Sequence, residues 1–584
     1  GVSDKYQNPR DLADVVASNF PRVNYIEKVE VAGPGFINFY LDKNWLVEEM
    51  RRVIEKAEKY GQRNVLEGKS YLLEHTSPNP QTTIMLGHLR NNFLGMAVSR
   101  ILELLGAVVV KDCVLNDRGV HLCRALWGYL VFARKGGPLS KEELLGFKEV
   151  TIAQLEEAVA NFDWRDLITQ WDSDSSTWYI PEDLELKPDH ANLIWYVLGS
   201  RAYKSFETVK ADVNEILIAW EEDEKKVCDL WEMLLSWSER GYAETYARIG
   251  SVHDWVWRES EHYKQGKKIV DDGLKKGVFR KSEGALVTDL SDFGLPDTVV
   301  EKSDGTALYI TQDLALTKLK MEKFPSDLYI WVVGAEQKLY FKQLFSVAEQ
   351  LGFGGKSDFL HLDYALINFK GGKKMSTRRG DVVIADKVLD NLREKAESII
   401  RNSDSLRLVG EEISEAAESI AVGAAKYSLL KYNRDKSVNF DIEESLSLEG
   451  NSGPYLQYTY ARCKSVLRKG LSKSSEGNKP GLLTTQVWGN LEGGLLGIEE
   501  ENLLCTFYKF PEIVDSAGRN YSPHLICNYL FDLAQKYNLF YNCCPIIEAD
   551  TEELKNLRFA FTAATAQILE NGLKLLGIEA LEKM

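Results

Sequence analysis

A short apolar run, a long amphipathic stretch and a second apolar run follow one another from residue 70 onwards. YLLEHT is typical of a buried strand, and GHLRNNFLGMAVSRILELLG places Leu94, Val98, Ile101 and Leu105 on one helical stripe. Gly106 stands where a helix C-terminus is commonly capped. AVVVKDCVL predicts a second strand, so the region forms a strand–helix–strand unit with parallel strands. Sheets of this kind bind ligands at the carboxyl ends of their strands.

The same patterns organise the rest of the chain. IEKVEVAG and FINFYL predict two strands of a small α/β module, and the alternation in FINFYL predicts one buried face. A helix-rich, charged and aromatic stretch at about 125–275 interrupts the sheet, which resumes with the strand DLYIWVVG and the helix KLYFKQLFSVAEQLG. After about Val383 the pattern is almost wholly helical.

The predicted fold class is therefore α/β. We expect a Rossmann-like doubly wound parallel sheet with a small N-terminal α/β module, a helix-rich insertion and an all-α C-terminal domain. The predicted domains are residues 1–65, residues 66–395 including the insertion, and residues 396–584.

Composition narrows the class of protein. A chain of 584 residues is too long for one hydrophobic core, so roughly two to four domains are expected. No run approaches the ~20 apolar residues that span a bilayer, and the N-terminus lacks the layout of a signal peptide. None of the 8 cysteines forms a CxxC pair, which favours reduced thiols. We expect a cytoplasmic protein, although a start at Gly rather than Met leaves room for a targeting segment ahead of it.

Charge points to a local rather than a general contact with phosphate. A net charge of −16 opposes indiscriminate binding to polyphosphate. Lys370, Lys373, Lys374, Arg378 and Arg379 nevertheless crowd one short window, FKGGKKMSTRRGDVV. That window is where a phosphate group is expected.

Five residues in four segments suit a positively charged amino acid. They are Glu74, Asn79, Tyr309, Asp313 and Gln337. A guanidinium offers five donors in a planar fork, and carboxylates satisfy its edge. Tyr309 and Asp313 are four residues apart, so a helix presents them on one face. Pairing of Glu74 with an internal arginine, and burial of Tyr309 in a core, are the structural alternatives.

Two further motifs suit the binding of a nucleoside triphosphate. Gly87 and His88 lie at a predicted strand-to-helix crossing, where glycine lets the backbone approach adenine and the helix N-terminus faces phosphate. Lys374 and Ser376 lie in the glycine-rich basic window, where they can stabilise charge that develops on a leaving pyrophosphate. A simple helix cap and a solvated basic loop are the alternative interpretations.

Together these motifs resemble the HIGH and KMSKS signatures of the class I aminoacyl-tRNA synthetases. Other segments resemble the arginyl-tRNA synthetases in particular: AGPGFINFYL, EHTSPN, LNDRG, SDGTALYITQD, VVGAEQ, KMSTRRGD, GPYLQYTYAR and LKLLGIEALEKM. The resemblance therefore extends over nearly the whole chain, and only the 125–275 insertion carries little of it.

The resemblance implies roles for individual residues. Arginine would be bound by Glu74, Ser77, Asn79, Tyr309, Asp313 and Gln337, with Glu74, Tyr309 and Asp313 at the guanidinium. ATP would be bound by Met85, Gly87, His88, Lys374, Met375 and Ser376, of which His88, Lys374 and Ser376 would be catalytic. tRNA would be bound by Phe36, Asn38, Tyr455, Tyr458, Arg462 and Met584.

The implied activity is ligation of arginine to tRNA(Arg) through an arginyl-adenylate. Mg²⁺ would accompany ATP without a dedicated protein site, and the enzyme would be a monomer without membrane contact. By the same resemblance, activation would await tRNA, and transfer would begin at the 2′-hydroxyl of the terminal adenosine.

Three positions depart from the family pattern. Met85 stands where the first signature has a histidine, and Thr82 and Thr377 stand where relatives carry one of two lysines. A thioether donates no hydrogen bond to phosphate, and loss of one such donor costs about a hundred- to a thousandfold in rate. We favour a slowed but competent enzyme over an engineered or divergent chain, or over a non-catalytic protein that binds tRNA or senses arginine. Another small nucleotidyltransferase is a further rival, which the long helical C-terminus disfavours.

Overall fold

The computed structural model describes residues 8–160, 162–303, 308–369, 383–402, 410–473 and 496–584. The chain forms two compact units. The first comprises Gly1–Val65, Lys395–Tyr427 and Glu443–Met584, and the second comprises Leu66–Glu394 and Ser428–Ile442. The division into three domains stays a prediction.

The elements follow in chain order. The strands are β1 Ile26–Ala32, β2 Phe36–Leu41, β3 Ser70–Glu74, β4 Val108–Leu115, β5 Trp255–Arg258, β6 Phe279–Ser282, β7 Ala285–Thr288, β8 Thr298–Glu301, β9 Leu328–Gly334, β10 Phe359–Tyr364, β11 Ile367–Phe369 and β12 Val438–Phe440. The first helices are α1 Pro9–Ser18, α2 Lys43–Lys56, α3 Leu86–Leu104, α4 Val120–Phe132, α5 Lys141–Leu145, α6 Ile152–Val159, α7 Trp164–Ser173, α8 Pro188–Ser205, α9 Glu207–Glu221, α10 Lys225–Ile249, α11 Glu259–His262 and α12 Gln265–Lys275. The remaining helices are α13 Tyr309–Lys323, α14 Lys338–Leu351, α15 Ala385–Arg401, α16 Glu411–Leu430, α17 Ile442–Ser445, α18 Gly453–Lys473, α19 Ile498–Phe507, α20 Phe510–Arg519, α21 His524–Cys543 and α22 Glu552–Leu575.

A five-stranded parallel sheet forms the centre of the second unit. Its order is β10-β9-β3-β4-β5, and every neighbouring pair is parallel. Helix α3 connects β3 to β4, and Gly106 takes a positive φ of 97° just beyond it. The predicted strand–helix–strand unit and the Rossmann-like sheet are therefore confirmed.

Some strands were not foreseen from the sequence. Strand β5 lies inside the 125–275 segment but pairs with β4 as the edge of the main sheet. It has four residues, with Trp255 and Val256 exposed, so its hydrophobic pattern is weak. Strands β6, β7 and β8 form a separate antiparallel sheet within 279–301.

The helix-rich insertion has a core of its own. Trp127, Trp164 and Trp195 are buried there among leucine and isoleucine side chains. Helices α4 and α8 approach closely at Gly128 and Gly199, because a Cβ at either position would collide with backbone atoms of the facing helix. Two glycines thus permit the contact around which the other insertion helices pack.

Strands β1 and β2 pair antiparallel in the first unit. The prediction that one face of FINFYL is buried is wrong, because Ile37 and Leu41 are only half-buried and the other residues of β2 are exposed. A two-stranded ribbon has too little covering structure to bury a whole face. Phe39 still packs against Phe20, with ring centroids 5.0 Å apart.

The N-terminal residues of this unit pack on its C-terminal helices. The Tyr60 hydroxyl donates to the Phe507 carbonyl at 3.1 Å. The side-chain amide of Asn571, on α22, donates to the carbonyls of Ala57 and Tyr60 at 3.0 Å each. Among the described helices, none combines the length and apolar character required to cross a bilayer.

Candidate active site and nucleic-acid surfaces

A cavity of about 300 Å³ lies at the carboxyl edge of the parallel sheet. Strand β3 ends there at Glu74 and strand β9 ends there at Gly334. The residues that line it come from strands, helices and turns of the second unit: Glu74, Ser77, His88, Asn91, Val114, Asn116, Asp313, Leu316, Thr317, Trp331, Val332, Val333, Gly334, Glu336, Gln337, Tyr340, Phe341, Leu344 and Tyr364. The fold thus brings four of the predicted arginine-binding residues and His88 to one wall.

Glu74 is fixed by two neighbours before any ligand binds. Its Oε1 accepts a hydrogen bond from the Ser77 hydroxyl at 2.9 Å, and its Oε2 accepts one from the Lys320 ammonium at 2.6 Å. Ser77 is fixed in turn, because its Oγ accepts the Val114 amide at 3.0 Å. Glu74 thus has an internal partner, but this is Lys320 rather than the arginine of the structural alternative, and Glu74 still faces the cavity.

Lys320 bridges the half-buried carboxylate of Glu74 and the buried carboxylate of Asp112. Its ammonium lies 2.6 Å from Glu74 and 2.7 Å from Asp112, and its side chain is 1% exposed. Burial alone would lower the pKa of Lys320, but the two carboxylates more than offset it and raise the pKa. The Trp257 ring N–H also donates to Asp112 at 2.8 Å. Sequence reasoning missed Lys320, although its place on the buried face of α13 with Ile310, Leu314 and Thr317 was a signal.

Asp313 supplies the second acid of the cavity wall. Burial raises the pKa of its carboxyl to about 6, even though the Tyr340 hydroxyl donates a hydrogen bond to it. The bonded partner of Asp313 is a phenol rather than a cation. Lys320 is shared by Glu74 and Asp112, and Asp313 adds a third carboxyl group, so the acids at this wall exceed the one lysine and suit a cation.

The other predicted arginine-binding residues lie in different settings. Gln337 lines the cavity just before α14. The Asn79 amide oxygen accepts from Asn116, which lines the cavity, at 3.3 Å. Tyr309 begins α13, where its side chain is 74% exposed and does not form part of the cavity wall. The role of each in binding arginine stays a prediction.

His88 carries a defined tautomer at the start of α3. Its Nδ1 accepts the backbone N–H of Met85 at 3.1 Å, so the neutral ring carries its proton on Nε2. Burial lowers the pKa of His88 to about 4, which keeps the ring neutral at physiological pH. The ring is thus a preset hydrogen-bond donor at a helix N-terminus.

Neither close packing nor a positive φ requires a glycine at position 87. A Cβ at this position would meet no atom of the described residues within 4 Å, and Gly87 has an ordinary negative φ. Glycine near the start of a helix brings no gain in helix stability over alanine. The open space beside Gly87 is what a closely approaching ligand needs.

The departures from the signature differ in their surroundings. Thr82 is buried, and its hydroxyl donates to the Asn79 carbonyl at 2.9 Å, so it closes the turn that follows β3. Met85 is the N-cap of α3 and engages through its backbone. Thr377 lies outside the described residues, as do Lys374, Met375 and Ser376.

The described residues that flank the lysine-rich window lie beside α3. Leu86 donates its amide to the Val383 carbonyl at 3.0 Å, and Ala385 donates to the Ile84 carbonyl at 2.9 Å. Met85 and Ile384 form an antiparallel bridge between these two bonds. The residues that follow the lysine-rich window, from Val383 onwards, therefore lie next to the residues predicted to bind ATP.

A polar and aromatic surface runs along α18 in the first unit. Tyr458 and Arg462 line a cavity of about 350 Å³ together with Met584. The Arg462 guanidinium lies between the rings of Tyr458 and Tyr541, at 4.7 and 5.1 Å from their centroids. Tyr541, on α21, is exposed and was missed by sequence reasoning.

Asn538, also on α21, holds this surface together and was missed as well. Its amide oxygen accepts from Arg462, and its amide nitrogen donates to the Tyr455 hydroxyl at 2.9 Å and to the Thr459 hydroxyl at 3.0 Å. The predicted residues Tyr455 and Arg462 are therefore joined through one side chain of another helix.

The predicted tRNA contacts of the N-terminal module lie on β2. The Phe36 ring is 68% exposed, and Asn38 is exposed as well. The Lys28 ammonium lies 5.4 Å from the centroid of the neighbouring Tyr40 ring. This aromatic and basic face is available to a ligand, but its role stays a prediction.

Three family models match the chain. Residues 179–442 match "tRNA synthetases class I (R), catalytic domain", residues 456–584 match "DALR anticodon binding domain", and residues 3–41 match "Arginyl tRNA synthetase N terminal domain". The second match covers the helices that carry Tyr458, Arg462 and Asn538.

Curated relatives match over almost the whole length. The chain is 32% identical to the arginine–tRNA ligase of Parabacteroides distasonis, over 99% of this chain and 90% of the relative. It is 35% identical to the arginine–tRNA ligase of Treponema denticola, with the same two coverages of 99% and 90%.

Solved structures share the fold. The arginyl-tRNA synthetase of Thermus thermophilus superposes with a TM-score of 0.73 at 24% identity, covering 99% of this chain and 92% of that one. The arginyl-tRNA synthetase of Plasmodium falciparum superposes with a TM-score of 0.71 at 19% identity, covering 99% and 89%. These likenesses establish the same architecture.

Proposed function

This chain belongs to the arginyl-tRNA synthetase family, and we propose that the cavity at the carboxyl edge of its sheet is where it joins arginine to tRNA(Arg). The arginine carboxylate attacks the α-phosphorus of ATP, which gives arginyl-adenylate and releases pyrophosphate. A hydroxyl of the terminal tRNA adenosine then attacks the arginyl carbonyl and releases AMP. The protein is accordingly an ATP-dependent arginine–tRNA ligase.

One observation carries the assignment of the cavity to arginine. Glu74 and Asp313 come from distant segments and line one small cavity whose wall has excess negative charge. A guanidinium can contact both acids through its planar fork, whereas the lysine ammonium is a compact point charge. Gln337 and Asn79 would bind the α-amino and carboxylate end, with Ser77 holding Glu74 and Tyr309 adding to the guanidinium contact.

ATP would bind beside arginine at the start of α3. Gly87 leaves room for adenine, and the neutral His88 donates from Nε2 to a phosphate oxygen. Lys374, Met375 and Ser376 would meet the triphosphate and stabilise the departing pyrophosphate. Mg²⁺ would be held through the phosphates, as is usual for this hard cation, and would balance their charge.

The tRNA would be contacted at two surfaces. Tyr455, Tyr458, Arg462 and Met584 would meet the anticodon loop, where unpaired bases stack on aromatic rings and arginine. Phe36 and Asn38, exposed on β2, would meet the tRNA elbow. We further propose a monomer that works in the cytoplasm.

The catalytically impaired alternative is not favoured. The relatives that match over the full chain are ligases, and the acidic cavity and the His88 donor are intact. Met85 leaves one phosphate donor fewer than the signature, which slows the reaction without removing the site. Met85→His should therefore raise the rate of arginine activation, and an unchanged or lower rate would show that position 85 does not limit it.

The test is ATP–pyrophosphate exchange with purified tRNA(Arg). Exchange should require arginine and should not be supported by lysine. Glu74→Gln and Asp313→Asn should each raise the KM for arginine about 10- to 100-fold, because each removes a charge-assisted hydrogen bond.

Asp327→Asn is the matched control for these two variants. Asp327 pairs with Lys69 at 2.9 Å near the opposite, amino edge of the sheet, and both side chains are well exposed. Its substitution should leave the KM for arginine unchanged. Exchange that lysine supports as well as arginine, or an unchanged KM in both cavity variants, would refute the assignment.

A further inference from the structure

The first turn of α8, inside the helix-rich insertion, contacts the two segments that flank the proposed ATP site. The Thr83 hydroxyl donates to Asp189 at 2.6 Å. The Lys187 ammonium and the His190 ring approach Asp386 at 2.8 and 3.1 Å. Thr83 lies just before α3, and Asp386 lies in the first turn of α15, so one insertion helix contacts both.

The two segments are also paired directly with each other. The backbone bonds of Ile84 and Leu86 with Ala385 and Val383 bracket the bridge between Met85 and Ile384. Thr83 and Asp386 stand immediately outside this paired stretch on its two strands. The insertion side chains therefore reinforce a short pairing that leads straight into Gly87 and His88.

The network is buried, and its side chains are joined by hydrogen bonds and ion pairs. Asp189 and Thr83 are completely buried, and Asp386 is 8% exposed. Thr245 on α10 adds hydrogen bonds to both Asp386 oxygens, at 3.2 and 3.3 Å. Lys187 also lies 3.4 Å from Asp189, so one ammonium serves two carboxylates.

The surroundings are shaped to hold Asp189 in place. A Cβ at Gly241 of α10 would collide with the Asp189 carboxylate. Burial alone would raise the pKa of Asp386, but the hydrogen bond from His190 and the charge of Lys187 hold it well below its usual range. The lowered pKa keeps Asp386 ionised, which makes its contacts strong and directional.

A metal site is the other chemistry that this cluster could serve. Asp189, His190 and Asp386 place one ligand atom each within 4.8 Å of one another. The Lys187 ammonium, however, lies 2.8 Å from Asp386 and 3.4 Å from Asp189, where it already supplies the positive charge. The lysine ammonium therefore supplies the charge that a metal ion would supply.

We propose that Asp189 and Asp386 are positioning residues for ATP, and that the insertion uses them to fix the paired segments on which Gly87 and His88 are mounted. This inference rests on the proposed function, because it takes the start of α3 as the ATP site. Loosening the network would let the N-terminus of α3 shift relative to the cavity, which would weaken the grip on ATP. Arginine, held by Glu74 and Asp313 on other elements, would be bound as before.

The sharpest test is a pair of substitutions at Thr83. Thr83→Val keeps the shape and removes the hydroxyl that Asp189 accepts, whereas Thr83→Ser keeps the hydroxyl. Thr83→Val should raise the KM for ATP about tenfold in pyrophosphate exchange, in line with a lost hydrogen bond to a charged group. Thr83→Ser should stay within about twofold of the unmodified chain, and neither variant should change the KM for arginine.

Asp386→Asn and Asp390→Asn form a second pair on α15. Asp390 lies one turn further on, exposed, and pairs with Arg248 at 2.9 Å. Asp386→Asn should raise the KM for ATP and Asp390→Asn should not. If Asp386→Asn does not fold, the Thr83 pair decides.

Two results would overturn the inference. One is an unchanged KM for ATP in Thr83→Val. The other is an equal change for ATP, arginine and tRNA together with a lower Tm, which would mean that the network merely stabilises the fold. Absence of arginine-dependent exchange in the unmodified chain would instead refute the proposed function itself, so the two failures are distinguishable.

Discussion

At the scale of single residues, the acidic wall depends on how two carboxylates share one lysine while a third has a phenol as its partner. Glu74 and Asp112 both contact Lys320, while Asp313 is bonded to the Tyr340 hydroxyl. Burial favours the neutral forms of Asp112 and Asp313 and raises the pKa of both carboxyl groups. A bound cation would therefore favour the charged forms of these carboxyl groups.

The pKa of Asp313 predicts a pH dependence of arginine binding. Because that pKa is raised to about 6, the carboxyl is neutral below about pH 6 and ionised above it. A neutral acid does not attract a guanidinium by charge, so the KM for arginine should rise as pH falls through about 6, by up to about tenfold per pH unit. Pyrophosphate exchange from about pH 5 to about pH 8 measures it.

Asp313→Asn serves as the control for this profile. The amide does not titrate, so its KM for arginine should be high and nearly independent of pH. The same pH dependence in Asp313→Asn as in the unmodified chain would assign the titration to another group.

Substitution of Asn538 is expected to weaken tRNA binding without slowing the chemical steps. Asn538→Ala removes the side chain that joins Tyr455, Thr459 and Arg462, so Arg462 and Tyr455 would no longer be held for a base. The KM for tRNA(Arg) should rise about tenfold with kcat nearly unchanged, which steady-state aminoacylation measures.

Asn542→Ala is the matched control, since Asn542 is exposed one turn further along α21. It should leave the KM for tRNA(Arg) unchanged. Equal effects of the two substitutions would contradict a specific role for Asn538.

Sequence reasoning found the residues that lie in motifs and missed those that support them. Glu74 and Asp313 stand out because a strand end and a helix start expose acids at recognisable positions. Lys320 and Asn538 act through contacts with other elements, so their roles follow from packing and could not be derived from spacing alone. Tyr309 was grouped with Asp313 by helical spacing, yet its ring is exposed because it occupies the first position of α13.

At the scale of elements, helix α3 contains two glycines with different surroundings, Gly87 beside open space and Gly95 in a packed contact. A Cβ at Gly87 would face open space among the described residues, whereas a Cβ at Gly95 would lie 2.6 Å from the Cβ of His75. The two glycines share one helix, and only the second is required by the packing of the protein.

Gly87→Ala should therefore preserve the Tm and raise the KM for ATP about tenfold or more, because the new methyl occupies space proposed for adenine. Gly95→Ala should lower the Tm, because overpacking typically costs about 1–3 kcal/mol. Thermal unfolding and ATP-dependent exchange measure the two effects. A Tm loss in Gly87→Ala, or an unchanged KM for ATP, would contradict this reading.

The hydrophobic pattern predicted the central elements better than the peripheral ones. Strands β3, β4 and β9 are buried and bracketed by long helices, so their runs are clear. Strands β5, β6, β7 and β8 have four residues each, and so short a strand gives neither a long apolar run nor a clear alternation. The prediction of a buried face on β2 was wrong for a related reason. Alternation shows which residues share a face but not whether another element covers that face.

At the scale of the whole molecule, each compact unit is assembled from distant parts of the chain. The first unit joins residues 1–65 to helices beyond 442, and the second is completed by residues 428–442. In the second unit, Arg90 is buried and donates to the carbonyls of Leu366, Arg434 and Lys436, at 3.4, 3.3 and 2.8 Å. One side chain thereby ties the late segment to α3.

Asn571 predicts how strongly the N-terminal module is attached within the first unit. Asn571→Ala leaves the carbonyls of Ala57 and Tyr60 without their donor, at a cost of about 1–3 kcal/mol. The variant should lose residues 1–65 to limited proteolysis faster than the unmodified chain. Asn520→Ala, at an exposed helix end, should not, and equal cleavage of both variants would contradict the prediction.

The attachment of Tyr60 to Asn571 has a consequence for how the polypeptide is made. The two residues are separated by 511 positions, so on the ribosome the first leaves the exit tunnel long before the second exists. At about 5–20 residues per second, the wait is on the order of 25 to 100 s. Until α19 and α22 have been made, the apolar side of α2, with Leu46 and Met50, lacks the helices that cover it in the folded unit. We therefore expect chaperone binding and aggregation of nascent chains to involve this N-terminal region most.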